Sequence, residues 1–155
     1  MRTVKELLLA HRLFEGLDEQ TVAQLAGCAV NVHFLPDEFL FRTGQPADRF
    51  YVLRSGGVAL DVVGPGERRL VVDTVGPGGV VGMSWLTPPY RWAVDARATE
   101  STSAVALDAT CLRDRFEEDP RLGYQMLQRV VSMMAERIYS ARIRLLDLYG
   151  TPGGR

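Results

Sequence analysis

Arg91 and the residues leading up to it offer this chain's clearest chemistry. From Gly82 to Arg97 the sequence reads Gly-Met-Ser-Trp-Leu-Thr-Pro-Pro-Tyr-Arg-Trp-Ala-Val-Asp-Ala-Arg. A glycine turn at Gly82 precedes Met83-Ser84-Trp85-Leu86, a segment fit for one helical turn. Pro88-Pro89 then breaks the chain, and Arg91 returns it toward a strand. The first N–H groups of a helical turn have no acceptor within it, and the local dipole favours negative charge. An arginine set opposite can grip a phosphate through two parallel hydrogen bonds. Two readings are open: an anion cradle, or an ordinary loop whose arginine is solvated or pairs with Asp95.

Other chemistries find little support. The two histidines, His11 and His33, are isolated, and Cys28 and Cys111 lie too far apart for a C-x-x-C pair. No cluster therefore reads as a metal site. That also weighs against a cupin-like metalloenzyme, another small β-roll class. No nucleophile elbow or Ser–His–Asp spacing is present, so a hydrolase reading has no foothold. No catalytic residue is assigned and no cofactor is expected. The two cysteines of an intracellular chain are expected to be buried, reduced and inert.

The elements that must position Arg91 are legible from periodicity. Thr3 is a candidate N-cap for a helix through Ala10, and Asp18 for a second one ending near Gly27. From Ala29 to Leu107 short β-rich runs alternate with Gly, Pro and Asp turns: 30–35, 39–42, 49–54, 58–63, 69–75, 92–98 and 103–107. Gly64-Pro65-Gly66 is a hairpin turn. Strands at such intervals predict an antiparallel sandwich or roll. Asp108 then caps a short helix, and Pro120 opens a long one through Leu148. Its apolar stripe either covers the chain's own β domain or forms a dimer seam around Met126, Val130, Met133, Ile138 and Leu145. Residues 1–150 are expected to form one domain, with helices over 1–28, the β region over 29–107 and helices over 108–149. Residues 150–155 read as a flexible tail.

Composition bounds the rest. A chain of 155 residues with 46% hydrophobic and 24% charged residues is globular, and its net charge of −1 gives no electrostatic drive toward nucleic acid or anionic lipid. No apolar run has the length of a membrane span, and Lys5, His11, Arg12 and Glu15 interrupt any signal-like start. A cytoplasmic, non-membrane protein is the expectation.

In combination the motifs become specific. The stretch Phe41-Arg-Thr-Gly44-Gln-Pro-Ala-Asp-Arg-Phe50-Tyr51-Val52-Leu53-Arg54-Ser55-Gly56-Gly57-Val58 resembles the first signature of cyclic-nucleotide-binding domains. Val75-Gly76-Pro77-Gly78 and Gly82 resemble the approach to that family's phosphate-binding cassette, and the element order is similar from about Leu13 to Leu148. The resemblance implies a mainly β fold: an antiparallel, jelly-roll-like β-roll with short N-terminal helices and a long C-terminal helix. It places the ligand site at Gly82, Met83, Ser84, Arg91, Trp92 and Ala93, with cAMP or cGMP as the implied ligand.

The family's cassette begins Gly-Glu and returns through Arg-[Ser/Thr]-Ala. This chain departs from it twice. Met83 stands where the glutamate would accept from the ribose hydroxyl, and a thioether is a weak acceptor. Trp92 stands where a small hydroxyl residue is usual. The resemblance thus implies a non-enzymatic sensor that binds a cyclic nucleotide or related phosphorylated ligand. Its output would pass through the C-terminal helix, as a homodimer, to a separate protein effector. Direct nucleic-acid binding is not expected, because no recognition element follows the long helix. The alternative is a degenerate fold kept as a ligand-free interaction or dimerisation module.

Overall fold

In the computed structural model, which describes residues 2–150, the chain opens with a capping box. The Thr3 hydroxyl accepts from the Glu6 N–H while the Glu6 carboxylate accepts from the Thr3 N–H, starting α1 (Val4–Leu9). Asp18 caps α2 (Glu19–Ala26) through the Thr21 N–H at 2.7 Å. Leu8, Leu13, Phe14, Val22 and Leu25 are buried, so these short helices are held by an apolar face rather than by propensity.

Eight strands follow: β1 (Ala29–Phe34), β2 (Phe39–Phe41), β3 (Arg49–Ser55), β4 (Val58–Val63), β5 (Arg69–Val75), β6 (Val80–Val81), β7 (Asp95–Ala98) and β8 (Thr102–Asp108). They pair antiparallel in two four-stranded sheets, ordered β1-β8-β3-β6 and β2-β7-β4-β5. This is the expected β-roll. Strands β3, β4 and β8 each bury four successive residues, so both of their faces are covered, and Leu53, Val58, Leu60, Ala104 and Leu107 lie in the core. Gly56 turns β3 into β4 with φ of +86°, and a Cβ there would meet the Ser101 carbonyl at 2.4 Å. Only glycine fits that corner.

Three differences from the sequence reading have physical causes. The two-residue β6 was not foreseen, because two residues carry no alternation; it forms by pairing with Tyr51 and Val52. The strand expected over 92–98 begins only at Asp95, since Trp92 spends its backbone groups on the 44–47 loop instead. The cysteines are not free thiols. The end of α2 and the first turn of the next helix bring Cys28 and Cys111 to a Cα separation of 5.6 Å, and they form a disulfide.

Asp108 accepts from the Cys111 N–H and starts α3 (Ala109–Glu118), and Asp119 accepts from the Leu122 N–H ahead of α4 (Pro120–Gly150). Proline at the first position of α4 gives up an N–H the helix does not need. The chain divides into two compact units, Met1–Arg115 and Phe116–Arg155. In α4, Leu122, Met126 and Val130 are buried within the single chain, while Leu127, Val131, Met134, Ile138 and Leu145 are exposed. Among the described residues no helix is long and apolar enough to cross a membrane. Of the tail expected over 150–155, Gly150 ends α4 and residues 151–155 lie outside the described residues.

Candidate functional site

Gly82 sets the geometry of the cassette. Its backbone lies in the left-handed region, with φ of +94° and ψ of 64°, and it launches a 3-10 turn over Met83–Leu86. No side chain caps that turn. The expected helical turn is therefore present where the sequence placed it. Trp85 anchors it from within, 1% exposed and stacked on Phe50 with ring centroids 5.1 Å apart. Below it, Arg113 donates to the Trp85 carbonyl at 2.7 Å and lies over the Tyr90 ring. Trp85 is thus a core residue.

The return limb, 90–92, pairs with the β2–β3 loop rather than with a sheet. Ala47 N–H donates to the Tyr90 carbonyl, Trp92 N–H to the Gln45 carbonyl and Gly44 N–H to the Trp92 carbonyl. Tyr90 takes φ of +59°, and the Pro88–Pro89 bond is cis. Pinned in this way, Arg91 and Trp92 point in different directions. Arg91 is exposed and donates from Nη1 to the Gly44 carbonyl at 2.8 Å. Among the described residues no carboxylate pairs with it.

Asp95, which could have claimed Arg91, is occupied elsewhere. It sits opposite Asp61 across β7 and β4, and both are buried. Arg69 reaches Asp95 at 2.7 Å and Asp61 at 3.4 Å, Arg97 reaches Asp61 at 3.1 Å, and Arg42 approaches Asp95 at 3.6 Å. Burial pushes the Asp95 carboxyl upward, but the Thr43 N–H and the Arg69 and Arg42 guanidiniums outweigh it and hold it below the ordinary carboxylate range. The pair reading for Arg91 is excluded by this network.

Trp92 decides what the cassette can hold. Its indole is 4% exposed and stacks on Phe41 with centroids 3.8 Å apart and planes 12° from parallel. A Cβ built on Gly82 would lie 2.9 Å from Trp92 Cζ3 and 3.3 Å from Phe41 Cε2. The space beside the glycine turn is filled by the chain's own aromatic ring. The same stack walls a cleft of about 600 Å³ lined by Phe34, Phe41, Gln45, Arg49, Tyr51 and Trp92, among others. Met83 and Ser84 are half-buried next to Gly82, and Ala93 is exposed beyond the stack. Of the six expected site residues, Gly82 and Trp92 are in van der Waals contact. Arg91 is turned toward Gly44.

Phe41 and Gly44, not among the expected site residues, contact two that are, Trp92 and Arg91. Both lie in the stretch that opens the first signature; Phe41 meets the cassette by ring stacking, and Gly44 by its N–H to the Trp92 carbonyl and by accepting from Arg91. Among the described residues no group of three or more His, Cys, Asp or Glu could hold a metal ion.

A model of the cyclic nucleotide-binding domain matches residues 31–119, more than half the sequence. The chain belongs to that family. Over 146 residues it is 26% identical to a CRP-like cAMP-activated global transcriptional regulator of Mycobacterium tuberculosis, covering 94% of this chain and 63% of the relative. Over 136 residues it is 30% identical to the HTH-type transcriptional regulator Cmr of the same species, covering 88% of this chain and 54% of the relative. The chain thus spans only part of the length of these curated relatives. A crystal structure of a cyclic nucleotide-binding protein from Geobacter metallireducens superposes with a TM-score of 0.79 at 26% identity, covering 89% of this chain and 99% of the other. The cyclic nucleotide-binding β-roll, with its long C-terminal helix, is therefore the setting in which Gly82, Arg91 and Trp92 lie.

Proposed function

We propose that this cyclic nucleotide-binding domain is a non-enzymatic sensor that takes a cyclic nucleotide or a related phosphorylated ligand in the Gly82–Ala93 cassette. Its bound state would be signalled through α4 to a protein partner. The carrying observation is the pairing of an uncapped turn at Gly82 with an Arg91 whose guanidinium is held by a carbonyl and not by a carboxylate. A carbonyl is a weaker claimant than a phosphate dianion or monoanion, so the arginine can exchange one for the other. Met83 and Ser84 supply backbone donors, Arg91 the countercharge, and Ala93 the room at the exit.

A second reading is favoured by Trp92. With the indole packed against Phe41 beside Gly82, the cassette is closed, and the domain would serve as a ligand-free interaction or dimerisation module. The two readings separate in one titration. Tryptophan fluorescence and calorimetry with cAMP, cGMP and inorganic phosphate should give saturable binding with a change in Trp92 emission. Arg91→Ala should then weaken it by about one to two orders of magnitude, since a hydrogen bond to a charged group contributes about 1.5–3 kcal/mol. Unchanged affinity in that variant refutes the site. No binding of any of the three probes leaves the closed-module reading.

A further inference from the structure

We infer that the Cys28–Cys111 disulfide is a reversible thiol–disulfide modification site that ties the first turn of α3 to the α2–β1 junction. The bond closes a loop of sequence separation 83 that contains the entire β-roll. α3 starts at Ala109, and the division between the two compact units falls inside this same helix, after Arg115. Around the bond the helix start is held by the Asp108 N–H to the Cys28 carbonyl at 2.8 Å, by the Ala109 N–H to the Asp48 carbonyl at 2.9 Å, and by the burial of Ala109 and Leu112. The disulfide adds the covalent tie to these contacts.

The two cysteines differ in exposure. Cys28 is 6% exposed, whereas Cys111 is half-buried in the first turn of α3. An incoming thiolate therefore meets the Cys111 sulfur first, forming a mixed disulfide and expelling Cys28 as the thiolate. Beside Cys28 lies a cavity of about 240 Å³ lined by Val30, Arg49, Ala106, Leu107 and Asp108. Arg49 is the cation facing it, with Asp108 the carboxylate; a nearby guanidinium eases departure of a thiolate. The second thiolate of a dithiol reductant then attacks the mixed disulfide. It releases Cys111 as a thiolate and leaves the reductant as its own disulfide, so two electrons pass to the chain. A small-molecule disulfide reverses both steps. The inference rests on the cysteines and holds whether or not the cassette takes a ligand.

The test uses the intact chain without denaturant. Dithiothreitol followed by iodoacetamide should label both cysteines in the folded protein, and oxidised glutathione should restore the unlabelled, bridged form. Amide hydrogen exchange over residues 109–115 should accelerate at least about tenfold on reduction, while β3 and β8 keep their protection. Cys111→Ser should reproduce the fast exchange in oxidant; because that variant could also fold poorly, the reduced unmodified chain is the reference. Reduction that requires denaturant marks a permanent staple and overturns the inference. So do thiols that never pair, or exchange at 109–115 that ignores redox state.

Discussion

Replacing Gly82 with alanine tests directly whether Trp92 fills the cassette. The new Cβ would be forced into a left-handed backbone at φ of +94°. That conformation costs a non-glycine residue about 1–2 kcal/mol. It would also sit 2.9 and 3.0 Å from two atoms of the Trp92 ring and 3.3 Å from Phe41. Neither ring can swing clear, because each is buried and stacked on the other. Overpacking of this kind adds about 1–3 kcal/mol. Gly82→Ala should therefore destabilise the chain by about 2–5 kcal/mol.

Trp92→Ser alone removes a buried ring and should cost about 3–5 kcal/mol. In the Trp92→Ser background the steric part of the Gly82→Ala penalty disappears and the backbone part remains. The two changes should then be less costly together than the sum of the two alone, by about 1–3 kcal/mol. Urea unfolding followed by circular dichroism, with the disulfide kept oxidised and equal m-values, measures each corner of the cycle. Additivity to within about 0.5 kcal/mol would mean that the indole does not occupy the space beside Gly82, and the closed-cassette reasoning fails.

Three further outcomes follow from the same residues. Asp95 has a depressed carboxyl pKa, so its stabilising contribution is present above about pH 4 and is lost as pH falls through the lower folded value. Asp95→Asn should lower the urea midpoint at neutral pH and flatten its fall below about pH 4; an unchanged acid profile refutes the network's role. Met83→Glu should restore a carboxylate acceptor and tighten cAMP binding by about tenfold or more if the cassette opens, and no gain in a folded variant identifies Trp92 as the barrier. The apolar stripe left exposed on α4 should hold a homodimer, with Leu127→Asp plus Val131→Asp raising its dissociation constant by at least about a hundredfold. Light scattering that finds the unmodified protein monomeric at high concentration removes that idea.

Much of this fold was legible because its signals are local. Thr3, Asp18 and Asp108 announced their helices through cap chemistry that needs only three residues of context. The β4–β5 hairpin announced itself through Gly64-Pro65-Gly66, and the helical turn after Gly82 through one glycine and the proline break. What escaped is what depends on contacts across the chain. Cys28 and Cys111 read as inert thiols because nothing in their spacing says that α2 and α3 meet. The seam proposed along α4 included Met126 and Val130, which helical periodicity cannot separate from Leu127 and Val131; only burial distinguishes the two stripes. For Arg91, pairing with Asp95 stayed open in the sequence, yet Arg42, Arg69 and Arg97 converge on Asp95 and Asp61 from three strands or loops.

Trp92 shows how a readable substitution can have an unreadable consequence. Its bulk, where the family carries a small hydroxyl, stands out in sequence; its direction does not, since that is set by Phe41 and by the pairing of 90–92 with 44–47. Once directed inward, the ring changes the energetics of any ligand. A ligand must displace an aromatic stack that contributes about 0.5–1.5 kcal/mol beyond its buried area, and must draw Arg91 from the Gly44 carbonyl. If the open cassette is populated to about 1% of molecules, apparent affinity falls about a hundredfold below that of the open form. Because the closed state is held by Trp92 and the competing contact by Arg91, changing each alone should move affinity in opposite directions. Trp92→Ser should strengthen binding and Arg91→Ala should weaken it. A structural module with no ligand would show neither effect.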